Sequence, residues 1–207
     1  MARESVADAV RLPGHLARPL AILLEFLVCG EESATHAFGD SLIRSSPEDE
    51  HACLAAMARD EEVHAWLIHQ WLDRLGHAPA EVDRMASRRF FMRLQTRDRA
   101  LHFARIAGLD TSVCRLLSQL VQSAALAPYE GLVSGLARIR SDEVRHVSVS
   151  RAFALRLGMS RADLSAVATD IEAQLLTLMR PAEPAMRLLT GSGLRIGRIL
   201  HGEMATT

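Results

Sequence analysis

The sequence is short of aromatics, cysteine pairs, long apolar runs and net charge, and each shortage argues against a class of protein. Aromatic residues make up 4% of the 207 positions, and Val, Ile and Thr are outnumbered by Ala, Leu and Arg, which favours helices over sheet. The three cysteines, Cys29, Cys53 and Cys114, stand far apart and form no Cys-x-x-Cys pair. That argues against a disulfide framework, a zinc ribbon and a rubredoxin-type iron site. A net charge of -1 speaks against a nucleic-acid partner held mainly through its phosphates. Basic residues in 84–99, with the acid Asp98 among them, read as solvated helix faces. The first apolar run, "LAILLEFLVC" from Leu20, is broken by Glu25 and is shorter than the about 20 apolar residues of a membrane span. Nothing before it reads as a signal peptide. The expectation is a soluble, reduced, cytoplasmic protein with no membrane partner.

What remains is plentiful apolar material, 49% of the residues, arranged with helical period. The spacing predicts a first helix over 19–44, followed by "SSPEDE", where Ser46 serves as N-cap and Pro47 opens the first turn. A second helix covers 47–75 and stops at Gly76. After a loop over 76–83, a basic helical segment at 84–94 serves as a crossover. A third helix runs over 98–126, weakened near Gly108, and a fourth over 128–157. Ser160 caps a fifth helix that reaches Met179. Pro181 and Pro184 interrupt the helical pattern beyond it, and "GSGLRIG" leads into a frayed tail. The whole chain, 1–207, reads as one all-α domain. Its core is a four-helix bundle of two antiparallel hairpins at about 19–157, joined by a long crossover, with a helical extension over 160–207.

Two stretches carry the chemistry. "ARDEEVHAWLI" (58–68) and "RSDEVRHVSVS" (140–150) both contain Asp-Glu-x-x-His inside an apolar stripe. With 14 Glu and 9 His in the chain, about 0.6 Glu-x-x-His pairs are expected by chance, so a single one means little. Three occur: Glu48/His51, Glu61/His64 and Glu143/His146. The first lies in a first helical turn, where an acid suits the helix dipole, and reads as structural. The other two place a Glu and a His on one buried helix face. A buried carboxylate without a partner costs several kcal/mol, and the interior stripes offer no Lys or Arg. A metal would neutralise it.

Hairpin symmetry extends the set. Residues equally distant from a turn lie at the same height in an antiparallel pair. Glu61 thereby mirrors Glu31 about Ser46, and Glu143 mirrors Asp110 about 126–127. Glu32 falls on a flanking face with Glu25 and His36 and is the lesser candidate. Four helices then each present a carboxylate at one level, and two of them add a histidine.

In this pattern, Glu31, Glu61-x-x-His64, Asp110 and Glu143-x-x-His146, the chain resembles the ferritin-like di-iron carboxylate superfamily, over about residues 19–157. The resemblance implies six metal ligands: Glu31, Glu61, His64, Asp110, Glu143 and His146. It also implies that Asp60 orients His146, that Asp142 orients His64, and that Arg145 balances the buried acids. Asp110 is the departure, since the family more often has Glu there. A structural N-cap after Gly108 is the other reading of Asp110, and Cys114, one turn on, is then the next ligand candidate. His69, His102, Trp66 and Trp71 read as packing residues. Tyr129 lies about 14 residues from Glu143, about 20 Å by helix rise, too far for a stored radical.

The resemblance implies a non-haem di-iron oxidase or oxygenase that activates O2 to oxidise a small organic substrate. The cofactor would be two Fe ions, with Mn or a mixed Mn/Fe pair as the other option. No residue beyond the ligands is assigned a catalytic role. Electrons would come from a separate donor such as a ferredoxin or reductase, a homodimer is an allowed assembly, and no nucleic acid is expected. Substrate would pass between helices by Leu27, Phe38, Ile68 and Phe153. Ferritin-like iron storage and rubrerythrin-like peroxide reduction are the alternatives.

Overall fold

The structure, a computed structural model, describes residues 12–76 and 82–193. Among the described residues the chain is all-helical, with no strand. Its elements are α1 (Gly14–Ala37), α2 (Asp40–Arg44), α3 (Glu48–Leu75), α4 (Arg84–Leu94), α5 (Arg99–Val121), α6 (Glu130–Arg156), α7 (Arg161–Met179) and α8 (Glu183–Thr190). A 3-10 turn at Arg180–Ala182 joins the last two. The long helices form two antiparallel pairs, α1 with α3 and α5 with α6, and α3 meets α6 across the bundle. α4 and α8 lie against α1, and α7 lies against α5.

Local chemistry explains four of the helix starts. Asp83 caps α4 by accepting from Ala86 N at 2.8 Å, and Asp98 caps α5 by accepting from Leu101 N at 3.2 Å. Ser160 and Asp163 form a reciprocal capping box at α7. α3 opens with Glu48, Asp49 and Glu50 in its first turn, where the helix dipole favours acids.

The apolar stripes close into two clusters along the bundle axis. One gathers Leu20, Leu24, Trp71, Leu120, Leu132 and Leu136. The other gathers Phe38, Leu54, Met57, Phe103, Ile106 and Ala154. On every core helix the predicted carboxylate falls between its contributions to the two clusters, so a polar layer is sandwiched between apolar ones.

Several boundaries differ from the sequence reading. α1 begins before Pro19 because Leu16 and Ala17 are buried against the first cluster. Pro19 then leaves only the carbonyl of exposed His15 without its helical donor. The same helix stops at Ala37 instead of running to residue 44, and α2 is a separate turn. Ser46 does not cap α3; its hydroxyl donates to Leu42 O at 2.8 Å, closing the end of α2. α5 runs unbroken through Gly108 and ends at Val121, five residues early. Gly108 is a contact point, since a Cβ there would stand 3.0 Å from Ala168 Cα of α7. Trp71 is buried as expected, whereas Trp66 is 55% exposed on α3. Residues 77–81 of the predicted loop and 194–207 of the predicted extension lie outside the described residues.

Trp71 fills the junction of the two hairpins only because residue 135 has no side chain: a Cβ on Gly135 would lie 2.5 Å from Trp71 Cζ2. Gly135→Val should therefore lower unfolding free energy by about 2 kcal/mol or more through overpacking. Urea titration would show it, and an unchanged midpoint would contradict this contact.

Candidate metal centre

Four carboxylates and two imidazoles meet in the polar layer, one carboxylate from each long helix. Glu31, Glu61, His64, Asp110, Glu143 and His146 are all buried, none more than 7% exposed. Their potential ligand atoms fall into two groups, Glu31–Glu61–His64–Glu143 and Asp110–Glu143–His146, each with its atoms within 4.8 Å of one another. Glu143 belongs to both groups.

The distances show how the halves interlock. His64 Nδ1 stands 3.3 Å from Glu31 Oε2, 3.6 Å from Glu61 Oε2 and 3.3 Å from Glu143 Oε1. His146 Nδ1 stands 2.9 Å from Glu61 Oε1 and 3.8 Å from Glu143 Oε2. Glu61 and Glu143 each direct one oxygen to one histidine and the second oxygen to the other. Both glutamates therefore face both imidazoles. The imidazole centroids are 6.2 Å apart.

The outward nitrogens are also fixed. His64 Nε2 lies 3.3 Å from Asp142 Oδ2, and His146 Nε2 lies 3.3 Å from Asp60 Oδ2. A proton held on Nε2 toward the aspartate leaves the Nδ1 lone pair facing the carboxylates, as a ligand requires. Arg145 is half exposed and donates to both Asp60 and Asp142, at 3.2 Å to the latter. It therefore balances the two outer aspartates rather than the inner glutamates. These crosswise pairs link α3 to α6 at the height of the centre.

Elsewhere in the molecule the same physical problem has another solution. Buried Glu25 has Arg84 at 2.9 Å, Glu50 has Arg99 and Arg156, and Glu172 has Arg115 at 3.4 Å. The four central carboxylates have no arginine partner among the described residues. Asp110 Oδ2 is buried without a hydrogen-bond partner among the described residues, and Glu143 Oε1 and His146 Nδ1 meet only the histidine and carboxylate atoms of the centre itself. A buried carboxylate oxygen left so is costly and marks a place for a counter-charge. Mixed carboxylate and imidazole donors on two overlapping groups suit two borderline or hard divalent cations. The residues present fit such a pair.

Without metal, protons do part of that work. Burial, then Glu61, raises Glu31 well above the usual carboxylate range. Burial, then Glu143 and Glu61, does the same to Asp110. Burial opposes ionisation of Glu61 too, but hydrogen bonds from His146 and His64 hold it at about 2. For His146 burial disfavours the charged ring, yet hydrogen bonds to Glu143 and Glu61 outweigh it and hold the ring at about 11. His64 is likewise pushed far up, its hydrogen bonds to Glu143, Glu31 and Glu61 overcoming burial. Metal binding must displace these protons.

Other candidates stand apart. Glu32 pairs with Arg88 at 2.7 Å and His69 at 3.0 Å on a half-buried flank, outside both groups. Cys114 is also outside them; its Sγ faces Arg140 O at 4.0 Å, and burial, then Glu143 and Asp110, pushes its thiol up to about 12. Asp110 lies in mid-helix, so it caps nothing, and its shorter side chain still reaches the second group. His51 Nε2 bonds Ser46 O at 2.8 Å, consistent with a structural first turn. His69 is 42% exposed rather than a core residue, whereas His102 is buried and bonds Ala37 O at 3.1 Å. The sequence reading did not anticipate Phe91 of α4, which lines a cavity beside Glu31, Glu61, Asp110 and Glu143. The adjacent Phe90 and Phe91, apolar residues in a basic segment, were the available signal.

Glu143→Ala should lower the metal bound per chain below that of the wild type, because both groups lose a member; elemental analysis of the purified variant tests this. Metal-free protein should also respond to pH with a defined sign. A raised histidine value stabilises the fold fully below about pH 6.5, and that stability is lost as pH rises toward the folded value, about 11 for His146. Raised Asp110 and Glu31 act in the same direction, while lowered Glu61 matters only in acid. The melting temperature of chelator-treated protein should thus fall from pH 6.5 to pH 10, less steeply in His146→Gln, and a rise would contradict the arrangement. No known protein family, curated protein or solved structure matches the chain, so the centre is defined by its own geometry.

Proposed function

We propose that the chain is a ferritin-like di-iron carboxylate protein acting as a non-haem oxidase or oxygenase on a small organic substrate. The observation that carries the reading is a six-residue buried centre in two ligand groups that share Glu143, with Glu61 and Glu143 each directing one oxygen to either histidine. A lone structural cation needs no such duplication. Two ferrous ions bound there would supply the electrons that reduce O2, and a manganese or mixed pair is the chemical variant.

The surrounding residues have separate tasks. Asp60 and Asp142 hold the imidazoles in orientation from outside, and Arg145 ties the two aspartates together. The apolar clusters on both sides keep water away from the carboxylates. Reactants approach from the side opposite the histidines. A cavity of about 30 Å³ touches Glu31, Glu61, Asp110 and Glu143, and a second of about 30 Å³ continues from Asp110 toward Gln95. Gly30, Ala34, Phe91 and Leu109 line both, so the path runs between α1 and α5 beneath α4. Leu27 and Phe38 lie along it, whereas Ile68 and Phe153 do not. Each cavity has room for about one water-sized molecule, so O2 fits as the structure stands and a larger substrate requires Phe91 to move. No helix among the described residues is long and apolar enough to cross a membrane. The electron donor is a separate protein.

The test is anaerobic loading of metal-free protein with Fe(II), a count of iron per chain, and then exposure to O2 while following O2 consumption and near-ultraviolet absorption. Two irons and rapid O2 uptake are expected. Absence of tight iron, or of O2 uptake, would sink the reading. Turnover with H2O2 in place of O2, at the expense of an added electron donor, would assign a peroxide reductase, and iron accumulating far beyond two per chain would assign storage.

A further inference from the structure

We propose that the cleft between α5, α6 and α7 is a second site, independent of the metal centre, which takes a small phosphate-bearing molecule. The cleft encloses about 320 Å³ on a different face of α5 from Asp110. It exists because α7 packs closely on α5 at Gly108 and Ala168 but makes far less contact with α6. Small residues at that crossing bring the helix backbones together, and the divergence beyond it leaves a concave space.

The lining is electrically one-sided. Arg115 from α5, Arg151 from α6 and Arg161 from α7 face it, against a single carboxylate, Glu172. Glu172 is buried and engaged with Arg115, whose Nη1 stands 3.4 Å from its Oε2. Arg151 Nη2 donates to Thr111 Oγ1 at 3.1 Å, a neutral acceptor. Arg161 makes no ion pair or hydrogen bond among the described residues. Asp163, the other acid near the start of α7, accepts from Ser160 N at 2.9 Å and Ser160 Oγ at 2.7 Å in the helix cap. With Arg115 set against Glu172, Arg151 and Arg161 leave two positive charges around one concave volume among the described residues, in a chain whose net charge is -1.

A concave wall of one sign concentrates counter-ions, and guanidinium forks match phosphate oxygens two at a time. A phosphate monoester carries about two negative charges near neutral pH, which equals the surplus. Ser165 supplies a hydroxyl from the α7 wall, while the Thr111 hydroxyl on α5 is committed to Ala107 O at 2.6 Å. The volume accommodates a phosphate with a modest organic group, at the small end of ligand pockets.

Calorimetric titration of the metal-loaded protein with inorganic pyrophosphate and with adenosine monophosphate, at low salt, tests this. Saturable 1:1 binding with Kd below about 1 mM is expected. Arg161→Gln and Arg151→Gln should each weaken it by about tenfold, with metal content and far-ultraviolet circular dichroism unchanged. Ser165→Glu, which adds a carboxylate at the rim, should weaken it as well. Absence of saturable binding to the wild type, or undiminished binding in the Arg151→Gln/Arg161→Gln double variant, overturns the proposal. So does tighter binding of a single-stranded oligonucleotide through the same arginines, which would make the cleft part of a nucleic-acid surface.

Discussion

Four carboxylates from four different helices are held in one buried layer with no arginine among them in the described residues, and the rest of the bundle is organised around that constraint. Ionised together they would repel one another strongly in a medium far less polarisable than water. Two imidazoles moderate the repulsion, and with both protonated they offset two of the four charges. A divalent cation would offset more while also reaching the unpartnered Asp110 Oδ2.

The surroundings keep this layer from relaxing. Apolar clusters above and below leave no room for the carboxylates to swing toward solvent. The crosswise Asp60–His146 and Asp142–His64 pairs tie α3 to α6 at the level of the centre, where few other contacts join them. Nearby, Trp71 seats against the bare backbone of Gly135 and draws the same helices together. Glu25, Glu50 and Glu172 provide the contrast. Each is equally secluded, yet each meets an arginine reaching in from a peripheral position, because it lies near the edge of the bundle. A guanidinium cannot reach the central layer without displacing the packed residues around it.

The crossover between hairpins has a second role in this arrangement. α4 connects the halves and also lays Phe91 over the carboxylate side of the centre, against Gly30, where an added Cβ would stand 3.3 Å from the ring. The two sides of the metal layer thus differ in kind. On one, histidines, aspartates and Arg145 lead to the α3–α6 surface. On the other, apolar walls and small cavities lead outward beneath α4.

Much of this was legible in the one-dimensional pattern. Helical period and two Asp-Glu-x-x-His repeats determined the fold class, and mirror counting about the turns picked out Glu31 over Glu32 and Asp110 as the remaining acid. That counting works because helix rise is constant, so an error of a few residues in a turn shifts height by only one helical step; α5 ended five residues early without removing Asp110 from the layer. Tertiary packing decided what depends on neighbours distant in the chain. It started α1 before Pro19 to bury Leu16, kept α5 straight through Gly108 against α7, and turned Trp66 outward. It set Arg145 on the outer aspartates and placed Phe91 over the site. Residue order alone settles which face of its own helix a side chain occupies, whereas the partner that face meets is chosen only when the helices assemble.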